Sequence, residues 1–517
     1  MIKTVFKIIG GFLLSFIIVV IIGILWPLPD ISVPEVHKTT MLEQINIIDV
    51  ASGEIIYNQE ILIVENRIAA IDSAGKIKRV DDVFIIDGKG SFVIPGLWNM
   101  HNHSTQLSKW LSHPLQIANG VTGVRDMSGQ LGRYDSYWAG TKERTEWNSE
   151  LNNNQIVAPR SVLQSSFQVD GVSSVPDAFP TYFKLQNEED VPLLLSYYKQ
   201  EGADFIKTYM NIPASTYRLL ANEAPNYGLY IAGHKPLNIS LRESITLGQR
   251  SFEHGRIFMF DCFPSAEEMR DPKKRGNRFR LPKEEMIDEF DENEAIAIMS
   301  LMKERNAHWV PTLQTLKMSA FANDSKFVNN SQLKYIPWLR ENAMWKPDIN
   351  RYINNTEDEH GESLEIEFYQ ASQQQVSMAH KIGVPIMMGT DVTDTYVFPG
   401  FSAHAELKDL TESGLSSLEA LRSATIIPAK YCGLEKEHGT VSVGKLADMV
   451  ILSENPLEKI EYTRSINGVI HNGVYYDAEK IAGLKEAAAS LASSFHINVK
   501  IAYSLISSPL MRVQFAD

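Results

Sequence analysis

Cysteine is nearly absent: Cys262 and Cys432 are the only two in 517 residues, and neither falls in a Cys-x-x-Cys or lipid-attachment pattern. No disulfide framework organises such a chain, and both thiols read as free, small and buried. Basic charge is also short. Lys and Arg number 49 against 63 Asp and Glu, giving a formal net charge of −14 with no basic run of useful length. That balance argues against a general nucleic-acid binder, which needs a basic face. Histidine is scarce as well, with thirteen in the whole chain, so any clustering of histidines calls for an explanation.

Long apolar runs are confined to one place. "IIGGFLLSFIIVVIIGILWPL", residues 8 to 28, carries no charge and has the length of about 20 apolar residues that a membrane-crossing helix needs. It lacks the short core and small-residue cleavage site of a signal peptide, so residues 1–30 read as an uncleaved N-terminal transmembrane helix. Lys3 and Lys7 precede the run and would stay cytoplasmic. The expectation is an anchor in the cytoplasmic membrane, with the rest of the chain on the periplasmic or extracellular side.

What remains is abundant enough for a large fold, with 44% apolar residues. From residue 42, "INIIDV", "EIIYN", "ILIVEN", "RIAAID" and "VFIIDGKG" are short strand signals broken by Gly, Asn and Asp. Similar texture returns in "KLADMVIL" and "SINGVIHNGVYY", where Asn472-Gly473 marks a type I′ hairpin. Residues 38–95 plus 436–480 therefore read as one composite β-sandwich domain built from both ends. Between them, residues 96–435 alternate strand-like runs with helical stretches such as "ENEAIAIMSLMKERN", the pattern of an α/β (β/α)₈ TIM barrel. An open doubly wound sheet is the alternative. Residues 315–370 are polar and irregular and read as an insertion at the barrel mouth, Ser416 with Glu419 reads as a capping box, and residues 481–517 form an extension without an assigned role.

Within this frame the histidines fall at strand ends. "PGLWNMHNHS" places His101 and His103 one residue apart, and on a strand such a pair faces one point. Further along, Lys207 ends "DFIK", His234 ends "IAGH", His254 follows "FE" and Asp391 ends "MGTD". Singly, each is unremarkable. Together, four histidines, a lysine and an aspartate at the C-terminal strand ends of a barrel add up to a two-metal site.

The pattern resembles the amidohydrolase superfamily of metal-dependent hydrolases. "VIPGLWNMHNHS" is similar to the family's first-strand motif, "GVTGVRDM" to its second strand, and the stretch from "HAELKDL" to "GKLADMVIL" to its C-terminal signature. Within the superfamily the imidazolonepropionase-like and prolidase-like branch is nearest. The resemblance implies a binuclear enzyme that hydrolyses a C–N bond of a small substrate, such as a dipeptide or N-acyl amino acid. It implies two divalent metal ions, most simply zinc, with His101, His103 and Asp391 on one and His234 and His254 on the other. Lys207 falls where binuclear members carry a carboxylated lysine bridging both metals. Free lysine, with a pKa of about 10.4, cannot ligate, but burial favours the neutral amine that captures carbon dioxide. Asn99 departs from the family, standing where many relatives have Asp.

The mechanism so implied is attack by a hydroxide bridging two cations about 3.5–4 Å apart, with Asp391 as the catalytic base that takes its proton and delivers it to the leaving nitrogen. Substrate contacts are assigned to His404, Tyr209 and Arg125, with Glu406 a further candidate and His360 a surface residue. Manganese, cobalt or iron suit the same donors. Three alternatives stay open: a mononuclear deaminase, a lactam hydrolase, and a non-catalytic scaffold. Against the deaminase, the position of its expected glutamate is Leu237. Partners are a small-molecule substrate and the membrane, with no nucleic acid, and homo-oligomer formation is left open.

Overall fold

The structure is a computed structural model describing residues 14–15, 18–79, 81–171, 175–275, 282–353 and 363–514. The chain opens with β1 (Thr39–Ile48), β2 (Ile55–Val64), β3 (Arg67–Ser73), β4 (Phe84–Asp87) and β5 (Phe92–Pro95). Two runs of parallel strands follow: β6 (Leu97–Asn102), β7 (Val121–Asp126) and β8 (Arg160–Gln164), then β9 (Ile206–Thr208), β10 (Ile231–Gly233), β11 (Ser251–Glu253) and β12 (His308–Val310). Near the C-terminus come β13 (Met449–Leu452), β14 (Ile466–His471) and β15 (Val474–Asp477).

Both ends of the chain meet in one mixed sheet of order β15-β14-β13-β5-β1-β2-β3, with β4 also paired to β1. It is one connected sheet and not the pair of facing sheets that a sandwich requires. The junction is β13 antiparallel to β5, pairing Val450 with Ile94. Asn472 and Gly473 both take positive φ, 50° and 78°, as a two-residue type I′ turn demands.

Every residue of β6, β7 and β9 to β12 is buried, because helices cover the outer face while side chains fill the inner one. The helix Glu292–Glu304 buries Ala295, Ile298, Met299 and Met302, one stripe at helical spacing, and starts at Asp291, whose side chain accepts from Glu294 N. The expected continuous eight-stranded barrel sheet is not formed. Instead there is a four-stranded half-barrel, β12-β11-β10-β9, and a three-stranded arc, β6-β7-β8, linked by the isolated bridge Ser165 to Phe205. The segment expected to supply the eighth strand makes only single bridges, Ile386 to Trp309 and Val392 to Asn102. The reason is local. A Cβ on Gly389 would lie 2.4 Å from Val310 Cγ1 and 2.9 Å from His101 N, and Asp391 has φ +63°, so the backbone here approaches its neighbours closely and then turns out of the extended region.

The expected transmembrane helix is also corrected. Among the described residues no helix is long and apolar enough to cross a membrane, which overturns the anchor and the periplasmic or extracellular placement that followed from it. Residues 8–13, 16 and 17 of the apolar run lie outside the described residues. The end of the run is held against the helix Phe495–Ser507: Lys500 Nζ donates to Ile24 O at 2.7 Å, and His496 Nε2 lies 2.9 Å from Trp26 O.

The stretch after residue 313 is mainly short helices, including Leu313–Ala320 and Lys346–Ile349, and then the long helix Leu364–Ile382. His360 lies outside the described residues. The C-terminal helices Ala478–Ser493, Phe495–Ser507 and Pro509–Gln514 fold back on the barrel, where Ser508 Oγ donates to Asp135 Oδ2 at 2.8 Å and Leu510 and Met511 are buried. Both cysteines are free.

Candidate metal centre and its cavity

The strand ends bring six side chains together. His101 and His103 leave β6, Lys207 sits on β9, His234 and His254 follow β10 and β11, and Asp391 follows the Gly389 turn. His103 Nε2 lies 2.8 Å and His101 Nε2 3.3 Å from Asp391 Oδ1, while Lys207 Nζ is 3.5 Å from His101 Nε2. His234 and His254 face each other through their Nε2 atoms at 2.8 Å, and His254 Nδ1 lies 3.7 Å from Asp391 Oδ2. Non-glycine residues at positive φ cluster here, with His254 at 76°, Thr312 at 43° and Asp391 at 63°. Such backbone persists only where surrounding contacts over-determine it.

The electrostatics favour lone pairs. Burial, then the charge of Lys207, lowers His103 to about 4. Burial likewise carries His234 and His254 well below the imidazole range and lowers Lys207, against the pull of Asp391 and Glu253. For Asp391, burial opposes the charge, but His101, His103 and His254 outweigh it and hold the carboxyl well below its usual range. Neutral imidazoles and an ionised carboxylate are what a divalent ion takes as ligands. One donor atom per residue from His101, His103 and Asp391 lies within 4.8 Å of the others, so this trio could hold a metal ion. The buried Nδ1 of His103 has no partner among the described residues. The donors fit.

Beneath the trio lies a support that strand-end reasoning did not find. Glu253 Oε2 is 2.9 Å from His101 Nδ1, and Glu253 Oε1 accepts from Arg125 at 2.8 Å and from Ser251 Oγ at 2.7 Å. Burial pushes the Glu253 carboxyl up, yet Arg125, His101 and Ser251 prevail and bring it down to about 2. Holding Nδ1 in this way directs Nε2 toward Asp391 and Lys207. Asn99 completes the support: its Oδ1 accepts from Thr390 N at 3.0 Å and its Nδ2 donates to Thr390 Oγ1 at 2.8 Å, which ties the Asp391 turn to β6.

The centre forms the floor of a cavity of about 890 Å³. Tyr209 lines it, with its ring 4.2 Å from that of His234. Arg125 does not. It is fully buried under the floor, donating to Met100 O, Ser251 Oγ and Glu253. His404 is also away from the cavity, with Nδ1 2.9 Å from Thr463 Oγ1. Glu406 accepts from the backbone N of Leu313 and Gln314 at 2.9 and 3.0 Å and so caps the helix Leu313–Ala320. The cavity wall adds groups that the sequence reading missed: Arg256, Asp394, Trp138 and, from the C-terminal extension, Met511. A signal for Glu253 was present, since an acid closes the apolar run just before His254.

With this geometry in place, known proteins offer a comparison. The profile of the Amidohydrolase family matches residues 279–475. The imidazolonepropionase of Thermoplasma acidophilum is 32% identical over 82 residues, 16% of this chain and 19% of that protein. The profile match and this relative support the resemblance to the amidohydrolase superfamily. Among solved amidohydrolase-like folds, a bottromycin amidohydrolase is 21% identical with a TM-score of 0.65, covering 88% of this chain and 91% of that one. A Xaa-Pro dipeptidase with bound methionine in its active site is 18% identical with a TM-score of 0.59, covering 85% and 100%. At these identities the likeness is one of fold. The chain spans about a fifth of the length of the curated relatives it matches.

Proposed function

We propose that this protein is a metal-dependent hydrolase of the amidohydrolase superfamily that cleaves a C–N bond, an amide or peptide bond, in a small substrate such as a dipeptide or N-acyl amino acid. The observation that carries the reading is the convergence of His103, Lys207, His234, His254 and Asp391 on one cavity floor, with His101 buried directly against Asp391 and Lys207. In this reading His101, His103 and Asp391 would hold one divalent ion and His234 and His254 a second, most simply zinc, with Lys207 joining the donor set as its carbamate. Residues 96–435 are the catalytic unit, and residues 38–95 with 436–480 form the composite β domain beside it.

Bound metal supplies polarisation of the scissile carbonyl and activation of water at neutral pH. The chain's own groups do the rest. Asp391, held ionised, accepts the proton of the attacking water at Oδ2, the oxygen that His103 does not engage, and returns it to the departing nitrogen. Glu253, backed by Arg125, keeps His101 in register, and Asn99 keeps the Asp391 turn in place. Burial lowers Lys207 toward the neutral amine that carbamate formation requires. Deamination is disfavoured because Leu237, where its acid would stand, offers no proton.

The test is turnover of a dipeptide and N-acyl amino acid panel by zinc-loaded protein, before and after chelation. Hydrolysis lost on chelation and restored by zinc is the expected result. No hydrolysis of any C–N substrate by loaded protein would overturn the reading.

A further inference from the structure

Among the described residues four Lys and Arg side chains line the cavity: Lys207, Arg256, Lys283 and Arg351. Three are engaged. Lys207 belongs to the floor, Lys283 pairs with Glu365, and Arg351 lies 3.5 Å from Asp348. Arg256 differs. Its guanidinium stacks over the Phe260 ring, 5.7 Å from the centroid, and among the described residues it has no ion-pair or hydrogen-bond partner. It stands two residues after His254, half-buried, and its charge is felt by His234, His254, Tyr209, Tyr352 and Asp394. Asp394 is thus within its field without being its partner.

A guanidinium presents five donors in a planar fork that matches a carboxylate with two parallel bonds. Here it is fixed to the backbone that carries a floor histidine, and its apolar side is held on Phe260. We infer that Arg256 is the substrate's carboxylate-binding residue, so that the amides this site accepts carry a free carboxylate on the part of the molecule lying toward β11 and β12. The inference rests on the hydrolase reading above and names the residue that recognises the carboxylate its substrates carry. An amidated or esterified version of the same molecule brings no anion to Arg256 and leaves the guanidinium facing a neutral group.

The experiment compares N-acetyl amino acids with their C-terminal amides on zinc-loaded full-length protein, by kcat/KM and by calorimetric binding. Wild type should prefer the acids by about 10- to 100-fold, the worth of charged hydrogen bonds, and mainly through KM because the contact forms in ground and transition states alike. R256Q should erase the preference, and R256K, which keeps the charge without the fork, should retain part of it. Unchanged zinc content and melting temperature in both variants guard against misfolding. Equal use of acid and amide by wild type, or an unaltered preference in R256Q, would overturn the inference and leave the hydrolase reading standing. No turnover of either series would remove both.

Discussion

The floor and the wall of the cavity are built on opposite plans. On the floor, nearly every polar atom is committed: His101 to Glu253, Glu253 to Arg125 and Ser251, Asn99 to Thr390. On the wall, short helices after residue 313, the tip of the C-terminal extension at Met511 and Arg256, unpaired among the described residues, meet around open space. Over-determination holds reacting groups to within fractions of an ångström, whereas a loosely committed wall leaves donors and apolar surface for a ligand. In the proposed hydrolase the floor would set what reaction occurs and the wall on what.

The comparison can be broken at several depths. The largest effect should come from the floor itself. Asp391→Asn should cut kcat by about 10²- to 10⁴-fold, the usual worth of a positioned proton acceptor, while steady-state KM and melting temperature change little. Wild-type turnover in that variant would remove Asp391 from the chemistry.

One layer down, Arg125→Met leaves the Glu253 carboxylate buried without its cation, which should cost about 3–5 kcal/mol of stability. It should also weaken metal binding about 10- to 100-fold through His101. Chemical denaturation and a competitive chelator titration read the two effects separately. If Arg125 instead bound substrate, KM would rise with stability intact.

The smallest effect is one of pH, and it lies outside the cavity. Burial lowers His113 to about 4 and His404 to about 3. Both are depressed bases, so the unfolded chain takes up protons first as pH falls below about 6.5, and stability declines from there toward pH 4. Denaturation midpoints should drop over that window, and His404→Gln should flatten part of the slope without altering acid-versus-amide preference.

The same division explains what the sequence could disclose. The six floor residues were legible because each closes an apolar run and strands of a parallel arc end on one side. Arg125 carried the same signal and misled: a charged residue at a strand end reads as a pocket group, while its partner Glu253 is 128 positions away. His404 and Glu406 failed similarly, since Thr463 and the helix start at Leu313 that engage them are distant in the chain. The apolar N-terminal run was weighed by hydropathy alone, which says nothing of Lys500 and His496 holding its end. Strand count failed at one turn, where Gly389 and Asp391 take the backbone out of the ladder. The wall was least legible of all, because Arg256 and Met511 come from segments with no periodicity pointing inward.

The most direct test is the number of zinc ions bound per chain in wild type and in Lys207→Met. The account predicts two in wild type, with loss of at least one in the variant as the bridge disappears. One ion per chain in wild type, unchanged by the substitution, would contradict it.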